Sequence, residues 1–550
     1  MTERGHPSSK LTPNAAGDIR LSSTQVFGAA DWVVWAFLTA LNASALVALL
    51  AFSTGATGMF SNPVSIAIMA LLLVGLALWW IRWLGLPLMR KPTVVSSATD
   101  LRVGVATTFV PGAESLEMLE ETVQALVAMS YPHETWVLDE GDDPTVRAIC
   151  DLYDARHFTR RYTPAYNTDS GRFARATKYG NYNAWLAEIG FDLYDVIVSF
   201  DPDHAPVRAF LERVLGFFCD SDVGYVQAAQ VYYNQSASFI ARGAAEETYT
   251  YYSSLQMTSF ALSYPIVTGC HNAHRTSALR EIGGFPAHEA DDLLMTIGYG
   301  AAGYRGVYVP EVLARGITPV DWGGYLGQQR RWARSVMDVK LWQLPRYWRR
   351  LSLRARLAGM VHGLHYLYPL TTVLGIALLV YLLVSGAMIP LLGLGGAARI
   401  AGVALALLLG DAYRQRFFID RRRELGVHWR SSVLRFAKWP ALLLGLADAL
   451  RRKKPHYLLT PKAQTKSRRS PYLWPHAVVA GILAACWAVG FVRGADPQLG
   501  SQLIAGVTAA ISLLVFMSGR SRFPAPYDRV LQRAAIGHSG LEYLPASPGT

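Results

Sequence analysis

Cysteine and charge are both scarce in this sequence. Its 550 residues include four cysteines, and only 17% of the residues are charged, whereas 51% are apolar. The cysteines (Cys150, Cys219, Cys270 and Cys486) are scattered and form no Cys-x-x-Cys pair. This spacing indicates neither a disulfide framework nor a zinc site, which suits cytosolic surroundings for the polar part of the chain. A chain this long and this apolar is neither one ordinary domain nor a purely soluble protein.

The charged residues that are present are unevenly placed. Basic residues exceed acidic ones, with a net charge of +12, and they gather at 346–356, 414–430 and 451–469 beside apolar segments. Such clusters are typical of the cytoplasmic ends of membrane helices. A basic chain can also bind nucleic acid, but no motif of interleaved aromatic and basic residues is present. We therefore predict a lipid bilayer as a partner, and no nucleic acid.

Two apolar runs near the N-terminus, residues 31–52 and 63–80, are long enough to cross a bilayer. The first run lacks a small-residue cleavage site, so we interpret it as an anchor and not as a removed signal peptide. No Lys or Arg lies between the runs, whereas Arg82, Arg90 and Lys91 follow the second. The positive-inside rule therefore predicts that the N-terminus and the chain after residue 90 are cytoplasmic.

Apolar runs return after residue 350. Residues 357–384, 395–409, 476–490 and 503–517 are predicted spans, which makes about six in total with both tails inside. Residues 432–450 have basic flanks on both sides, so an amphipathic interfacial helix is the better interpretation there.

Between these groups of spans, from about residue 95 to 345, short β-rich runs alternate with helical periodicities. This alternation predicts an α/β domain with a mostly parallel sheet. The predicted domain boundaries are a flexible cytosolic tail at 1–30, two transmembrane helices at 31–90, the α/β domain at 91–350, a transmembrane bundle at 351–520 and a cytosolic tail at 521–550. The bundle includes the interfacial helix at 432–450 and a basic loop at 451–470.

Five short polar clusters interrupt the α/β domain. The first, Val137-Leu-Asp-Glu-Gly-Asp-Asp143, places Asp139 at the end of a strand, where it can meet a nucleotide or simply close a turn. The second is Lys178-Tyr-Gly-Asn-Tyr-Asn183. Its Lys178 offers a positive charge to a phosphate, and its Gly180 permits close approach of the backbone. The same segment could equally begin a helix, so neither cluster identifies a site by itself.

The third cluster follows the apolar stretch Val196–Phe200 and supplies Asp201, Asp203 and His204. Two carboxylates and an imidazole at the carboxyl end of a buried strand can hold Mg²⁺ or Mn²⁺, which in turn binds a phosphate-bearing ligand. A lone Asp-x-Asp also occurs in solvated turns. The apolar strand before it favours the metal site.

Two further clusters precede the second group of spans. Glu289-Ala-Asp-Asp-Leu293 contains Asp292, which can be a general base for a sugar hydroxyl or an acidic residue at a helix start. In Gln328-Gln-Arg-Arg-Trp332, Arg331 can bind a diphosphate and Trp332 offers a face for a sugar ring. A basic amphipathic helix on the membrane surface explains the same residues.

In this order, the five clusters resemble the membrane-embedded processive family 2 glycosyltransferases, the relatives of cellulose, chitin and hyaluronan synthases. The resemblance covers about residues 30–520 and implies an α/β GT-A domain, a nucleotide-diphospho-sugar transferase fold, inserted in an α-helical transmembrane bundle. It also implies a role for each cluster. The implied residues are Asp139, Lys178, Gly180, Asn181, Asn183 and Asp201 for the nucleotide and donor, Asp201, Asp203 and His204 for the metal, Asp292 for the base, and Gln328, Gln329, Arg331 and Trp332 for the acceptor and diphosphate.

The sequence departs from the family pattern in several places. The Thr-Glu-Asp motif reads Ala290-Asp291-Asp292, and Gly269-Cys-His-Asn272 stands where many members have Gly-Thr/Ser-Asn. Tyr457-Leu-Leu-Thr-Pro-Lys462 resembles the gating loop of cellulose synthases, with Thr460 and Lys462 kept. We find no counterpart of the domain that binds cyclic di-GMP in bacterial cellulose synthases.

The resemblance implies an inverting transferase that uses a UDP-sugar and Mg²⁺ or Mn²⁺ to elongate a β-linked polysaccharide and export it across the inner (plasma) membrane. The growing glycan and export or accessory subunits are then its partners. One alternative is transfer of a single sugar to a polyprenyl phosphate or other lipid, and another is an inactive transporter or scaffold that kept the fold. The sugar stays open, because the gating-like loop favours glucose whereas Gln328, Gln329 and Ser335 resemble the aminosugar polymerases.

Overall fold

The computed structural model describes residues 12–13, 19–55, 62–93, 100–112, 114–452, 470–494 and 497–519. The gating-like residues Thr460 and Lys462, the tail at 521–550 and most of the tail at 1–30 lie outside the described residues. The described chain combines a seven-stranded sheet with six long apolar helices. The domain boundaries given above stay predictions.

A mixed seven-stranded sheet is the centre of the α/β domain. The strands are β1 Val103–Phe109, β2 Glu134–Asp139, β3 Arg156–Phe158, β4 Val196–Phe200, β5 Val223–Ala228, β6 Asn272–Arg275 and β7 Arg305–Val309. They run across the sheet in the order β7-β5-β6-β4-β1-β2-β3. Strand β6 is antiparallel to both of its neighbours, and the other adjacent pairs are parallel, which confirms the GT-A-like α/β fold.

The central strands are buried on both faces. Every residue of β1, β4 and β5 is buried. In β4, Val196 and Val198 pack into one hydrophobic core, whereas Ile197 packs into the core on the opposite face. Strands that are covered on both faces consist of consecutive apolar residues, so they can be predicted from the sequence.

Helices connect these strands, and several follow a residue whose side chain caps the first turn. Ser115 and Thr177 each accept a hydrogen bond from a backbone amide three residues later, at 3.2 Å and 3.1 Å. The α-helices of the domain are Leu116–Val127, Pro144–Tyr153, Lys178–Trp185, Phe191–Leu193, Phe210–Leu215, Phe239–Thr250, Gln256–Ala261, Thr276–Glu281, Asp291–Ala302, Trp322–Asp338 and Leu344–Tyr347.

Six helices in the described chain are long and apolar enough to cross a membrane, so this is a multi-pass membrane protein. They are Ala29–Thr54, Pro63–Leu88, Leu353–Ser385, Leu394–Phe417, Pro471–Val492 and Leu499–Ser518. Strand Ser23–Gln25 pairs with Arg90–Pro92. This pairing puts the start of the first span and the end of the second on the same side of the membrane.

The segment predicted as one interfacial helix at 432–450 is two helices, Trp429–Ala437 and Trp439–Leu450. The prediction of a single helix is wrong because Pro440 has no amide hydrogen to donate to the preceding turn. The second helix packs on helix Trp322–Asp338, with Leu442 and Leu446 in a shared hydrophobic cluster. The break thus lets this segment lie against the α/β domain.

Candidate active site

The third cluster lies directly after β4, in the middle of the sheet. Asp201, Asp203 and His204 each offer a ligand atom, and these atoms lie within 4.8 Å of one another. The side chain of Asp201 is 29% exposed, whereas those of Asp203 and His204 are 5% exposed. Oxygen-rich donors of this kind fit Mg²⁺ or Mn²⁺, and Asp201 is the ligand that solvent can reach.

Lys178 is the member of the second cluster that reaches this site. Its Nζ lies 2.6 Å from Asp201 Oδ1 and also donates to the carbonyl of Gly269. Burial alone would lower the pKa of the Lys178 ammonium, but the Asp201 carboxylate overcomes this and holds the pKa well above its usual value. Lys178 therefore presents a fixed positive charge beside the solvent-facing aspartate.

The other predicted residues of the second cluster bind protein groups. Asn181 donates to the carbonyl of Leu138 at 2.9 Å. Asn183 donates to the carbonyl of Phe285 at 2.8 Å and accepts from its amide at 2.9 Å. A Cβ on Gly180 would lie 2.2 Å from the carbonyl oxygen of Ala174. In this structure the three residues position backbone around Lys178, and their nucleotide contacts stay predictions.

Asp139 ends β2, and its carboxylate closes the following turn. Oδ1 accepts from the amide of Gly141 at 2.8 Å, and Oδ2 accepts from that of Asp143 at 2.6 Å. His157 Nε2 lies 3.2 Å from Oδ2, and Asp139 is fully buried. These contacts match the turn interpretation of the motif, so its nucleotide role also stays a prediction.

Two adjacent carboxylates begin helix Asp291–Ala302. The charges of Lys178 and Asp201 act on both carboxyl groups, and the charge of Asp292 also acts on the Tyr251 hydroxyl. Burial raises the pKa of Asp292 to about 6 and that of Asp291 to about 7. A carboxylate with a raised pKa is suited to accept a proton near neutral pH.

The sequence reasoning missed the residues that connect this acidic pair to helix Trp322–Asp338. Arg334 on the helix forms an ion pair with Glu289, and both side chains are largely buried. His288 Nε2 lies 2.9 Å from Asp338 Oδ2, and His288 Nδ1 accepts from the amide of Ala290 at 3.0 Å. The four-residue spacing of Arg334 and Asp338 on one helix face was the available signal.

The side chains of the fifth cluster differ in burial along helix Trp322–Asp338. Trp332 is exposed at 37%, so its ring can meet another molecule. Gln329 is buried, and its Oε1 accepts from Lys438 Nζ at 3.0 Å. Gln328 and Arg331 are half-buried. The acceptor role predicted for these four residues is compatible with the exposure of Trp332, whereas Gln329 contacts Lys438, the residue between helices Trp429–Ala437 and Trp439–Leu450.

Residues 196–411 match the family model described as Glycosyl transferase family group 2. The cellulose synthase catalytic subunit (UDP-forming) of Xanthomonas axonopodis pv. citri (strain 306) is 26% identical over 291 residues, which are 51% of this chain and 38% of that protein. Probable glucomannan 4-beta-mannosyltransferase 3 of Oryza sativa subsp. japonica is 24% identical over 240 residues, 42% of each chain. The matched region thus spans less than half the length of these relatives.

Among solved structures, a mannosyltransferase from Pyrobaculum calidifontis in complex with GDP-Man and Mn²⁺ is similar to this chain at 19% identity. The alignment covers 75% of this chain and 100% of that one, with a TM-score of 0.47.

Proposed function

Because residues 196–411 match the model of glycosyltransferase family group 2, we propose that this chain uses a UDP-sugar to elongate a β-linked polysaccharide with inversion. The observation that supports this most is the contact of Lys178 with Asp201 at the carboxyl end of β4, together with the charge effect of both residues on the pKa of Asp292. The site thus combines an ammonium group that can bind phosphate, a carboxylate that can bind a metal ion and a carboxylate that can accept a proton.

The donor diphosphate would lie against Asp201 and Lys178. Asp201 and Asp203 would hold Mg²⁺ or Mn²⁺, which supplies positive charge for the departing diphosphate, and His204 Nδ1 would orient the Asp203 carboxylate from 2.9 Å. Lys178 contributes a second positive charge from the same side, and Arg331 on the neighbouring helix is a candidate for a third. These charges stabilise UDP as the leaving group because negative charge builds on its terminal phosphate oxygen.

Asp292 is our candidate for the base. Its carboxylate would take the proton of an acceptor hydroxyl, whose oxygen bonds to the anomeric carbon as the bond from that carbon to UDP breaks. The proton stays on Asp292 until solvent removes it, so charge and atoms balance. Attack on the face opposite the leaving UDP inverts the anomeric centre, which gives a β-linkage from an α-linked donor.

The acceptor would lie on the Trp332 side of the site. An exposed indole face suits a sugar ring. The helix that carries Trp332 is bound through the Arg334–Glu289 ion pair to residues 288–292, the Asp292 loop. The six long apolar helices lie in the same chain, so we propose that the polymer is exported between them as it grows. The catalytic domain would then face the cytoplasm at the inner membrane.

The length of the product tests this proposal. Purified protein in detergent with Mn²⁺ or Mg²⁺ would be given radiolabelled UDP-glucose, UDP-GlcNAc, UDP-galactose or UDP-glucuronate, with and without a polyprenyl phosphate. We expect one donor to yield a long polymer that a β-specific glycosidase degrades. A single sugar on the polyprenyl phosphate, and no polymer, would establish the lipid-acceptor alternative.

The Arg334–Glu289 pair gives a further prediction. Arg334→Gln keeps a polar side chain but leaves the largely buried Glu289 carboxylate without its positive partner. We expect kcat to fall by about 10- to 100-fold, because a small displacement of the Asp292 loop disturbs the alignment of the reacting atoms. Initial rates of UDP release against donor concentration would measure it.

The matched control is Arg346→Gln, since Arg346 is exposed and pairs only locally with Gln343 among the contacts recorded for the described chain. The control should retain the wild-type rate. An Arg334→Gln enzyme that loses UDP affinity but keeps kcat would contradict a positioning role for the pair.

A further inference from the structure

Behind the aspartate pair lies a second cluster of ligating side chains. His204, Cys270 and His271 are 4%, 0% and 0% exposed. Each offers one ligand atom, and these atoms lie within 4.8 Å of one another. One thiol and two imidazoles are soft donors, unlike the carboxylates at the front of the site, so the two groups would select different metals.

Each imidazole is held through one nitrogen by an oxygen. His204 Nδ1 lies 2.9 Å from Asp203 Oδ1, and His271 Nδ1 lies 3.4 Å from the carbonyl oxygen of Ala229. The centroids of the two imidazole rings are 4.8 Å apart, and the angle between the ring planes is 76°. Histidines that bind metals are oriented in this way, because an oxygen on one nitrogen leaves the other nitrogen as the ligand.

The remaining nitrogen of His271 needs an explanation. His271 Nε2 is buried and has no hydrogen-bond partner among the residues that the structure describes. A buried polar atom of this kind is costly unless it binds something. The second nitrogen of His204 faces Gln230, whose Nε2 lies 3.0 Å away and also donates to Cys270 Sγ at 2.9 Å.

The backbone at His271 is arranged to bring neighbouring side chains together. Its φ is +60°, in the left-handed region that residues with a side chain seldom adopt. Adjacent side chains on an extended strand point to opposite faces, and a left-handed residue breaks this alternation. Cys270 and His271 therefore share one cluster although they are consecutive. Backbone strain of this kind concentrates at binding sites.

We propose that His204, Cys270 and His271 form a site for a soft divalent ion of the Zn²⁺ class, separate from the Mg²⁺ or Mn²⁺ site at Asp201. On binding, the Cys270 thiol would release its proton to solvent and coordinate as thiolate. The ion would anchor the loop in which the carbonyl of Gly269 accepts from Lys178, and so support the donor site from behind.

Cobalt binding tests this site without reference to activity. The full chain, purified in detergent and stripped with chelator, would be titrated with Co²⁺ in the presence of excess Mg²⁺ and UDP. We expect one equivalent of Co²⁺ to produce the near-ultraviolet absorption of a thiolate–cobalt bond, and Zn²⁺ to abolish it. Wild-type protein without that absorption would overturn the proposal directly, whatever the variants do.

Two variants and one control locate the ligands. Cys270→Ser should remove the absorption, and His271→Gln should weaken Co²⁺ binding by at least about tenfold. Cys150→Ser is the control, because Cys150 is equally buried but contacts a different hydrophobic core. Absorption that persists in Cys270→Ser, or that disappears in Cys150→Ser, would refute the assignment. Sugar transfer is not needed for any of these measurements, so they succeed or fail independently of the proposed function.

Discussion

Asp292→Asn is expected to lower the rate of sugar transfer by about 10²- to 10⁴-fold while UDP still binds. The substitution keeps the shape of the side chain and removes only its capacity to take a proton. The position at the start of helix Asp291–Ala302 also remains compatible with an amide, because the Leu293 amide that donates to Asp292 Oδ1 at 2.7 Å can donate to an Asn oxygen. Single-turnover transfer and equilibrium UDP binding would be measured in parallel.

Two substitutions serve as comparisons. Asp192→Asn, on an exposed side chain that pairs with Arg280 at the surface, should leave transfer unchanged. Asp291→Asn tests the neighbouring carboxylate, and we expect a smaller loss because Asp292, not Asp291, stands in the place of the Asp of the Thr-Glu-Asp motif. If Asp292→Asn transfers sugar at the wild-type rate and Asp291→Asn does not, the base is Asp291.

The pH dependence of transfer offers a second test of the base. Burial raises the pKa of Asp292 to about 6, and only the deprotonated carboxylate accepts a proton. On the acid side of that value kcat/KM should therefore fall by about tenfold per pH unit, and above it kcat/KM should level off. The acid limb should vanish from the residual activity of Asp292→Asn, whereas Asp192→Asn should retain it.

Asp201→Asn is expected to reduce both UDP affinity and turnover, with a combined loss in kcat/KM of at least about 10²- to 10³-fold. Asp201 is the solvent-facing carboxylate of the metal cluster and the partner of Lys178 at 2.6 Å. An amide in its place weakens cation binding and removes the carboxylate that contacts the Lys178 ammonium. Titration of UDP in buffer with and without Mn²⁺ would measure the loss.

The contrast between the two aspartates is the informative result. In Asp201→Asn the stimulation of UDP binding by Mn²⁺ should be lost, whereas in Asp292→Asn it should be retained. A wild-type response to Mn²⁺ in Asp201→Asn would remove this residue from the metal site. Asp192→Asn again controls for a general effect of losing one carboxylate, since its side chain is 77% exposed.

The positions of these carboxylates could be predicted because they depend on local pattern. Val196–Phe200 is an apolar run, and a strand buried on both faces must be such a run, so Asp201 had to lie at a strand end. The membrane helices could also be predicted, because a helix that crosses a bilayer needs about 20 consecutive apolar residues regardless of which elements pack against it. The helix after Ser115 follows from its cap and its periodicity.

Contacts between distant segments could not be predicted in this way. Asn183 binds the backbone of Phe285 across 102 positions, and Gln329 binds Lys438 across 109. Both residues belong to motifs that were interpreted as ligand-binding, yet their side chains hold the protein together here. A motif records which residue types are present, whereas the partner of each polar group depends on which segments pack against it.

The amino-acid sequence by itself determined the order of spans, strands and helices, and the strand-end location of Asp139 and Asp201, because hydrophobic period and turn chemistry are local properties. Only the tertiary structure decided that Lys178 reaches Asp201, that Arg334 binds the Asp292 loop, and that Cys270 and His271 meet His204. Those contacts join residues between 23 and 67 positions apart. They exist only once burial of the apolar faces has brought the segments together, which no local pattern encodes.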